Sequence, residues 1–494
     1  MRNMNVLLRG GRVVDPGSGL DDNCDVLISG GAVSAVGAVG PVGENTEVID
    51  VSGLIVGPGF VDLHSHVHSI PGQRLQALDG VTTCLDLEAG LMPISKAYED
   101  AAKEGRPLNY GFSASWGSAR ALVLAGLEPD AQFSSALSMV HNQEWQRSSS
   151  PTELSRWLSL LERELADGAL GIGVLLGYAP DSKPMEFVKV AQLATKAGVP
   201  TFTHVRELVE VDPSTLVDGS SEIAIVAAET GAHMHHCHVN ATSGRHIERV
   251  LRMLTSSRSA GSRVTVETYP YGAGSTAIGA YFLEPDRLAA RGLQPSDIVM
   301  LETQERLSGL SQLKHLRETD PAAACVVEFL DERDKADRAL ILDSMAYPDA
   351  IVASDAMPLV MPGRNEDPYM WPLPASATTH PRTTGTFSKT LRLMVRETQA
   401  WTWLEAFRRC SYLPARVLDG VAPAAIRKGH LGVGADADVV VIDPANVTDN
   451  ATYFDSTRPS TGIRHSLVNG KFIVRNGRLE LDSFPGKPLR GHRS

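Results

Sequence analysis

Gly57-Pro58-Gly59-Phe60-Val61-Asp62-Leu63-His64-Ser65-His66 is the stretch on which the reading of this chain turns. Gly and Pro punctuate its start, Phe60 to Leu63 read as a short buried strand, and two histidines close it. Alternate side chains of a strand share a face, so His64 and His66 converge on one point at the strand's end. Two neutral imidazoles there suit a zinc-class divalent cation. His68 leaves a second register open, with His66 and His68 as the pair. An isolated His-x-His is also what a polar strand end looks like, so its meaning depends on the rest of the chain.

That chain has 494 residues, a length that suits an α/β barrel with an appendage. With 43% hydrophobic and 21% charged residues it can bury a large core, and global disorder is excluded. A net charge of −12 without a basic block argues against nucleic acid as a partner. Cys24, Cys84, Cys237, Cys325 and Cys410 are scattered and odd in number, which implies no disulfide framework and predicts a reducing cytoplasmic setting. Met1 to Leu20 lacks a long apolar core, so neither a signal peptide nor a membrane partner is expected. The sequence leaves a homo-oligomer open.

The two ends of the chain read as one structure split in two. Asn5 to Val14, Asp25 to Ile28, Ala32 to Val36 and Glu47 to Val51 are short strands with Gly-rich punctuation. Near the other end come Val439 to Ile442, Ile463 to Val468 and Lys471 to Val474, the last two joined by Asn469-Gly470, which fits a type I′ turn. Neither half makes a stable sheet alone. The expectation is a small β-sandwich built from residues 1–57 and 421–494, with residues 58–420 inserted between them.

The inserted part alternates strand and helix. Strands are expected at Phe60 to Leu63, Gly80 to Leu87, Leu108 to Ser113, Ala169 to Leu176, Pro200 to Thr203, His233 to Cys237, Val264 to Glu267 and Ala350 to Ala353. Helical periodicity appears in Glu153 to Leu165, Phe187 to Ala197, Ser221 to Thr230 and Ile247 to Leu254. This α/β rhythm predicts a parallel sheet, and eight right-handed units close into a TIM-type (β/α)8 barrel. Residues 282–344 exceed one crossover and are expected to hold extra helices. Residues 357–379, rich in Pro and Met, are expected to form a loop over the barrel mouth.

On this layout His64, His66, Glu88, His204, His238 and Asp355 all fall at C-terminal ends of barrel strands, where catalytic groups gather in this fold. Singly, each has an ordinary alternative: a partly buried histidine, a helix cap, a loop carboxylate. Jointly, six metal-type side chains at five strand ends point to a cation, because unpaired carboxylates at the barrel centre would be costly.

The order Pro58-Gly59-Phe60-Val61-Asp62-Leu63-His64-Ser65-His66, then single His, His and Asp, resembles the amidohydrolase superfamily of metal-dependent hydrolases, and more specifically its D-aminoacylase branch, the N-acyl-D-amino-acid deacylases. Gly168-Ala169-Leu170-Gly171 with Tyr178, Tyr269-Pro270-Tyr271-Gly272-Ala273-Gly274-Ser275-Thr276, Ser354-Asp355, and His380-Pro381-Arg382-Thr383-Thr384-Gly385-Thr386-Phe387 are similar to that branch's motifs. Gly432-x-Gly-x-Asp-Ala-Asp438 is similar to a C-terminal hallmark of the superfamily. The resemblance runs from about Met4 to Arg478.

The resemblance implies one or two Zn²⁺ ions, with His64 and His66 at one position, His204 and His238 at the other, and Asp355 as ligand and general base. It also implies substrate contacts from Tyr178, Tyr269 and Ser275, and Arg382 suits a two-pronged grip on a substrate carboxylate. Two departures stand out. The family's bridging cysteine is missing from Asp86-Leu87-Glu88-Ala89-Gly90; Glu88 is the best replacement and Cys84 the alternative. Where the branch has a lysine two residues past its sixth-strand histidine, this chain has Asn240, a substrate-contact candidate without the charge, which argues against a D-glutamate-type substrate. The implied activity is hydrolysis of an N-acyl-D-amino acid or similar small amide. The alternatives are a cyclic-amide hydrolase of dihydroorotase or hydantoinase type, for which His66-x-His68-x-x-Pro71-Gly72 speaks, and a barrel without catalysis.

Overall fold

In the computed structural model, which describes residues 5–361 and 367–492, eight parallel strands follow one another around a barrel. They are β1 (Phe60–Asp62), β2 (Val81–Leu91), β3 (Asn109–Ser115), β4 (Ile172–Leu175), β5 (Thr201–His204), β6 (Met234–His236), β7 (Val264–Thr268) and β8 (Ile351–Val352). Each pairs with the next in chain order, as the strand–helix alternation requires. The ring is nearly closed between β8 and β1. Ser65 bridges Ala356 in parallel, His66 N–H donates to the Ala356 carbonyl at 2.8 Å, and Ser354 N–H donates to Asp62 at 3.0 Å.

The helices on the outside form for readable reasons. Helix Pro151–Ala166 opens with a capping box between Ser150 and Glu153 and with Pro151 in its first turn. It buries Trp157, Leu161 and Leu165, one face at helical spacing, and each such side chain contributes on the order of 2 kcal/mol. Helices Pro184–Ala197 and Gly219–Thr230 stop at Gly198 and Gly231, both at φ 69°, the left-handed conformation that glycine adopts freely. Val61, Leu63, Leu85, Leu87, Phe202 and Ile351 pack together from the strands and their ends.

Both chain ends build one nine-stranded sheet. Strand Asn5–Asp15 breaks register between Leu8 and Gly11, so its first part pairs with Thr46–Asp50 and its second with Ile55–Pro58. Ile55–Pro58 in turn pairs with Val439–Ile442, joining the two halves of the chain. Asn469 and Gly470 both have positive φ, 48° and 75°, as the expected type I′ turn demands. The Gly-Pro-Gly entry to β1 is set by packing: a Cβ on Gly57 would meet the Phe407 ring at 2.2 Å, and one on Gly59 would meet Thr82 at 2.2 Å.

One expectation needs amendment. The region 282–344 holds helices Leu310–Thr319 and Lys335–Ala346, but also strands Ile298–Met300 and Ala324–Glu328. These form a three-stranded antiparallel sheet with Ala273–Ala277. Three- to five-residue strands of ordinary composition carry too little periodicity to be read in advance. Of the expected loop 357–379, residues 362–366 lie outside the described residues, as do residues 1–4 and 493–494 of the terminal segments. Among the described residues no helix is long and apolar enough to cross a membrane.

Candidate metal centre

His64 and His66 leave the end of β1 with their Nε2 atoms 3.1 Å apart. Glu88 stands in β2 where its register with β3 shifts, between Asp86 and Leu91. Gly173 lets β4 approach it, because a Cβ there would lie 2.3 Å from the Glu88 carbonyl. Glu88 Oε2 is 3.2 Å from His64 Nε2 and 3.7 Å from His66 Nε2. Its other oxygen, Oε1, is 3.1 Å from His204 Nδ1 and 2.8 Å from His238 Nε2. One carboxylate thus spans two histidine pairs. Asp355 Oδ1 closes the first group at 3.3 Å from His64 Nε2 and 3.8 Å from His66 Nε2.

These residues fit a divalent metal. Ligands bound tetrahedrally at the usual zinc distances stand roughly 3.3 Å apart, and the donor atoms here are spaced close to that. His64, His66 and Glu88 offer mutually close ligand atoms, and so do Glu88, His204 and His238. Burial opposes the charge on Glu88, yet His64 and His238 outweigh it and hold its carboxyl well below the usual range. His238 and Asp355 carry non-glycine backbones at φ 30° and 50°, conformations that concentrate where a site dictates them.

A layer of buried carboxylates holds the ligands from behind. Glu267 Oε1 lies 2.5 Å from His64 Nδ1 and its Oε2 lies 2.9 Å from His235 Nε2. Asp86 Oδ2 faces His66 Nδ1 at 3.2 Å and His68 Nε2 at 3.0 Å. His68 is therefore turned to Asp86, and the pair at the centre is His64/His66. Asp62 accepts from Ser354 and from Gln76 Nε2, and burial pushes its carboxyl up to about 6 against the bonds from Ser354. Cys84 Sγ faces Ser65 Oγ at 3.2 Å and the Val67 carbonyl, away from the histidines.

An open cavity lies over the centre, lined by His66, Glu88, His204, His238 and Asp355. Tyr178, Tyr269 and Ser275 line it too. The Ser275 hydroxyl is buried without a hydrogen-bond partner, and the Tyr178 hydroxyl meets Thr276 Oγ1 at 3.0 Å. Asn240, expected among the substrate contacts, is placed differently. Its Nδ2 donates to the carbonyls of Tyr269 (3.1 Å) and Tyr271 (3.3 Å), so it braces that turn and lines no part of the cavity. Arg382 is fully buried at the start of helix Arg382–Thr390, with Nη1 donating to the Tyr269 hydroxyl at 3.1 Å and Nη2 2.9 Å from Asp355 Oδ2.

Sequence reasoning missed Glu267, Asp86 and Asp62. The available signal was an acidic residue inside an otherwise apolar strand, which is costly without a partner. It also missed Phe133, stacked on His66 with ring centroids 4.1 Å apart, and Phe282, stacked on His204 at 5.9 Å. Both come from segments outside the barrel rhythm.

No family model matches the chain. Across 507 aligned residues it is 27% identical to the N-acyl-D-aspartate deacylase of Alcaligenes xylosoxydans xylosoxydans, covering 98% of this chain and 94% of the relative. A crystal structure of a D-aminoacylase, described as defining a novel subset of amidohydrolases, superposes with a TM-score of 0.75 at 21% identity over 99% of both chains. The chain is thus similar over nearly its whole length to an N-acyl-D-amino-acid deacylase, and it shares the fold of a D-aminoacylase. A second structure, the N-acyl-D-glutamate deacylase of Bordetella bronchiseptica, also matches this chain with a TM-score of 0.75, at 23% identity, covering 99% of this chain and all of that one. That structure contains zinc and a phosphonate inhibitor, a mimic of the reaction's tetrahedral intermediate.

Proposed function

We propose that this chain is an amidohydrolase that cleaves the amide bond of an N-acyl-D-amino acid, with one or two divalent metal ions, zinc first among them, held by His64, His66, Glu88, His204, His238 and Asp355. The observation that carries the reading is the single carboxylate of Glu88 shared between His64/His66 and His204/His238 under an open cavity. A cation at this place supplies Lewis acidity and makes water available as a nucleophile at neutral pH.

The side chains do the rest. Asp355 directs one oxygen at the histidines and the other at Arg382, so it is placed to take a proton and hand it to the leaving nitrogen. Arg382 and the Tyr269 hydroxyl, bonded to each other beside Asp355, offer donors for the substrate's carboxylate or for developing oxyanion charge. The partnerless Ser275 hydroxyl offers one more. Burial pushes the Tyr269 and Tyr178 phenols well above their usual range, so both act as neutral donors. All five cysteines are free, which supports a reducing, cytoplasmic setting.

The test is a turnover panel of N-acetyl-D- and L-amino acids beside hydantoins and dihydroorotate, with metal content measured before and after chelation. Chelator-sensitive turnover of D-substrates, restored by Zn²⁺, is expected. Turnover confined to the cyclic amides would replace this reading with the cyclic-amide one.

A further inference from the structure

The cavity over the metal centre has an apolar wall made by Phe133, Leu137, Val140, Phe282, Val327 and Phe329. Among the described residues two cations line it, Arg206 and Arg291. Arg206 is 3% exposed and committed inward: Nε donates to Glu222 at 2.8 Å, Nη1 to the Pro180 carbonyl at 3.0 Å and Nη2 to Ser182 Oγ at 3.1 Å. Arg291 reaches in from the segment after Phe282 and lies over that ring at 5.2 Å, with Phe282 itself stacked on His204. It is thus one ring away from the centre. Its guanidinium is ion-paired with Glu207, which also lines the cavity, and both side chains keep some exposure, 18% and 12%.

Resting on the amide-hydrolase reading above, we propose that Glu207 sets substrate charge selectivity by occupying Arg291. A side-chain carboxylate brought into this cavity meets Glu207 as a like charge and finds Arg291 already paired, so it loses solvation without gaining a partner. An uncharged apolar group instead buries its surface against the phenylalanine wall. The site therefore takes N-acyl amino acids that carry an apolar group, either as the amino-acid side chain or as the acyl chain. It disfavours the acidic side chains for which the aspartate- and glutamate-named relatives are named. Asn240, turned to backbone carbonyls, supplies no replacement charge.

The experiment compares kcat/KM of the zinc-loaded wild type, Glu207→Gln, Arg291→Met and the double variant on four substrates. N-acetyl-D-leucine against N-acetyl-D-glutamate reads the side chain; N-octanoyl- against N-acetyl-D-alanine reads the acyl chain. The wild type is expected to favour D-leucine over D-glutamate, or octanoyl over acetyl, by roughly 100-fold. Glu207→Gln is expected to raise turnover of D-glutamate by roughly 10-fold or more, and the double variant to abolish that gain. A wild type that prefers D-glutamate, no gain in Glu207→Gln, or a gain that survives loss of Arg291 would each overturn the proposal while leaving amide hydrolysis in place. A wild type that turns over none of the four removes the amide reading and this proposal with it.

Discussion

Glu267 Oε1 stands 2.5 Å from Nδ1 of His64, on the side of the imidazole opposite the other ligands. A proton shared there keeps Nε2 as the lone-pair nitrogen, the atom that faces His66, Glu88 and Asp355. The same carboxylate accepts from the His238 N–H at 3.2 Å, so it touches one member of each histidine pair.

Glu267→Gln preserves shape but removes the charge. Metal affinity is expected to fall by about 10- to 100-fold, read by competition with a chromophoric chelator. Secondary structure by circular dichroism should stay unchanged. Unaltered affinity would reduce Glu267 to a packing role.

Glu88 stands in the segment where the resemblance leads one to expect a cysteine. Glu88→Ala is expected to lose at least one equivalent of metal and nearly all turnover, because both histidine pairs lose a shared ligand. Cys84→Ala should keep both, since its sulfur faces Ser65 and Val67. Metal analysis of the two purified variants separates them, and the reverse pattern would make Cys84 the ligand.

Asp355→Asn tests proton transfer. The other ligands remain, so much of the metal should stay while kcat drops roughly 100-fold or more. Near-normal kcat would mean that the proton is handled elsewhere.

His465, in the terminal sheet, is expected to contribute to acid sensitivity. Burial, then Arg464 and Arg475, lowers His465 in the terminal sheet to about 4. A depressed histidine contributes stability that is present above its ordinary value of about 6.5 and is lost as pH falls towards 4. His465→Gln removes that contribution. The fall of its melting temperature between pH 7 and pH 4 should be shallower than the wild type's, and an equally steep fall would place the acid sensitivity elsewhere.

The eight barrel strands and the hairpin at Asn469-Gly470 were legible because period, length and turn chemistry agree locally. That His64, His66, Glu88, His204, His238 and Asp355 come together was legible because each lies at or near the C-terminal end of a barrel strand, and strand ends share one rim. What was hidden depends on contacts between distant segments. Nothing in Val264 to Thr268 announces that Glu267 will meet a histidine 203 positions earlier. The strands Ile298–Met300 and Ala324–Glu328 are strands chiefly because Ala273–Ala277 offers them an edge. Asn240 read as a lost charge, and only the turn at Tyr269 and Tyr271 shows where its amide goes.

Arg382 was expected to grip a substrate carboxylate, and the structure gives its guanidinium a second task. Nη2 lies 2.9 Å from Asp355 Oδ2 while Nη1 holds the Tyr269 hydroxyl. A lysine keeps the charge but cannot reach both partners from one planar group. Arg382→Lys should therefore lower kcat for every substrate, neutral amides and esters included, because Asp355 loses its orientation. Substrates with a free α-carboxylate should lose roughly 10-fold more in kcat/KM, because a two-pronged contact is lost as well. Comparing N-acetyl-D-leucine with its methyl ester checks this. Equal losses for the pair would leave Arg382 as a support for Asp355 alone, and the carboxylate would then have to be held by other donors such as Ser275.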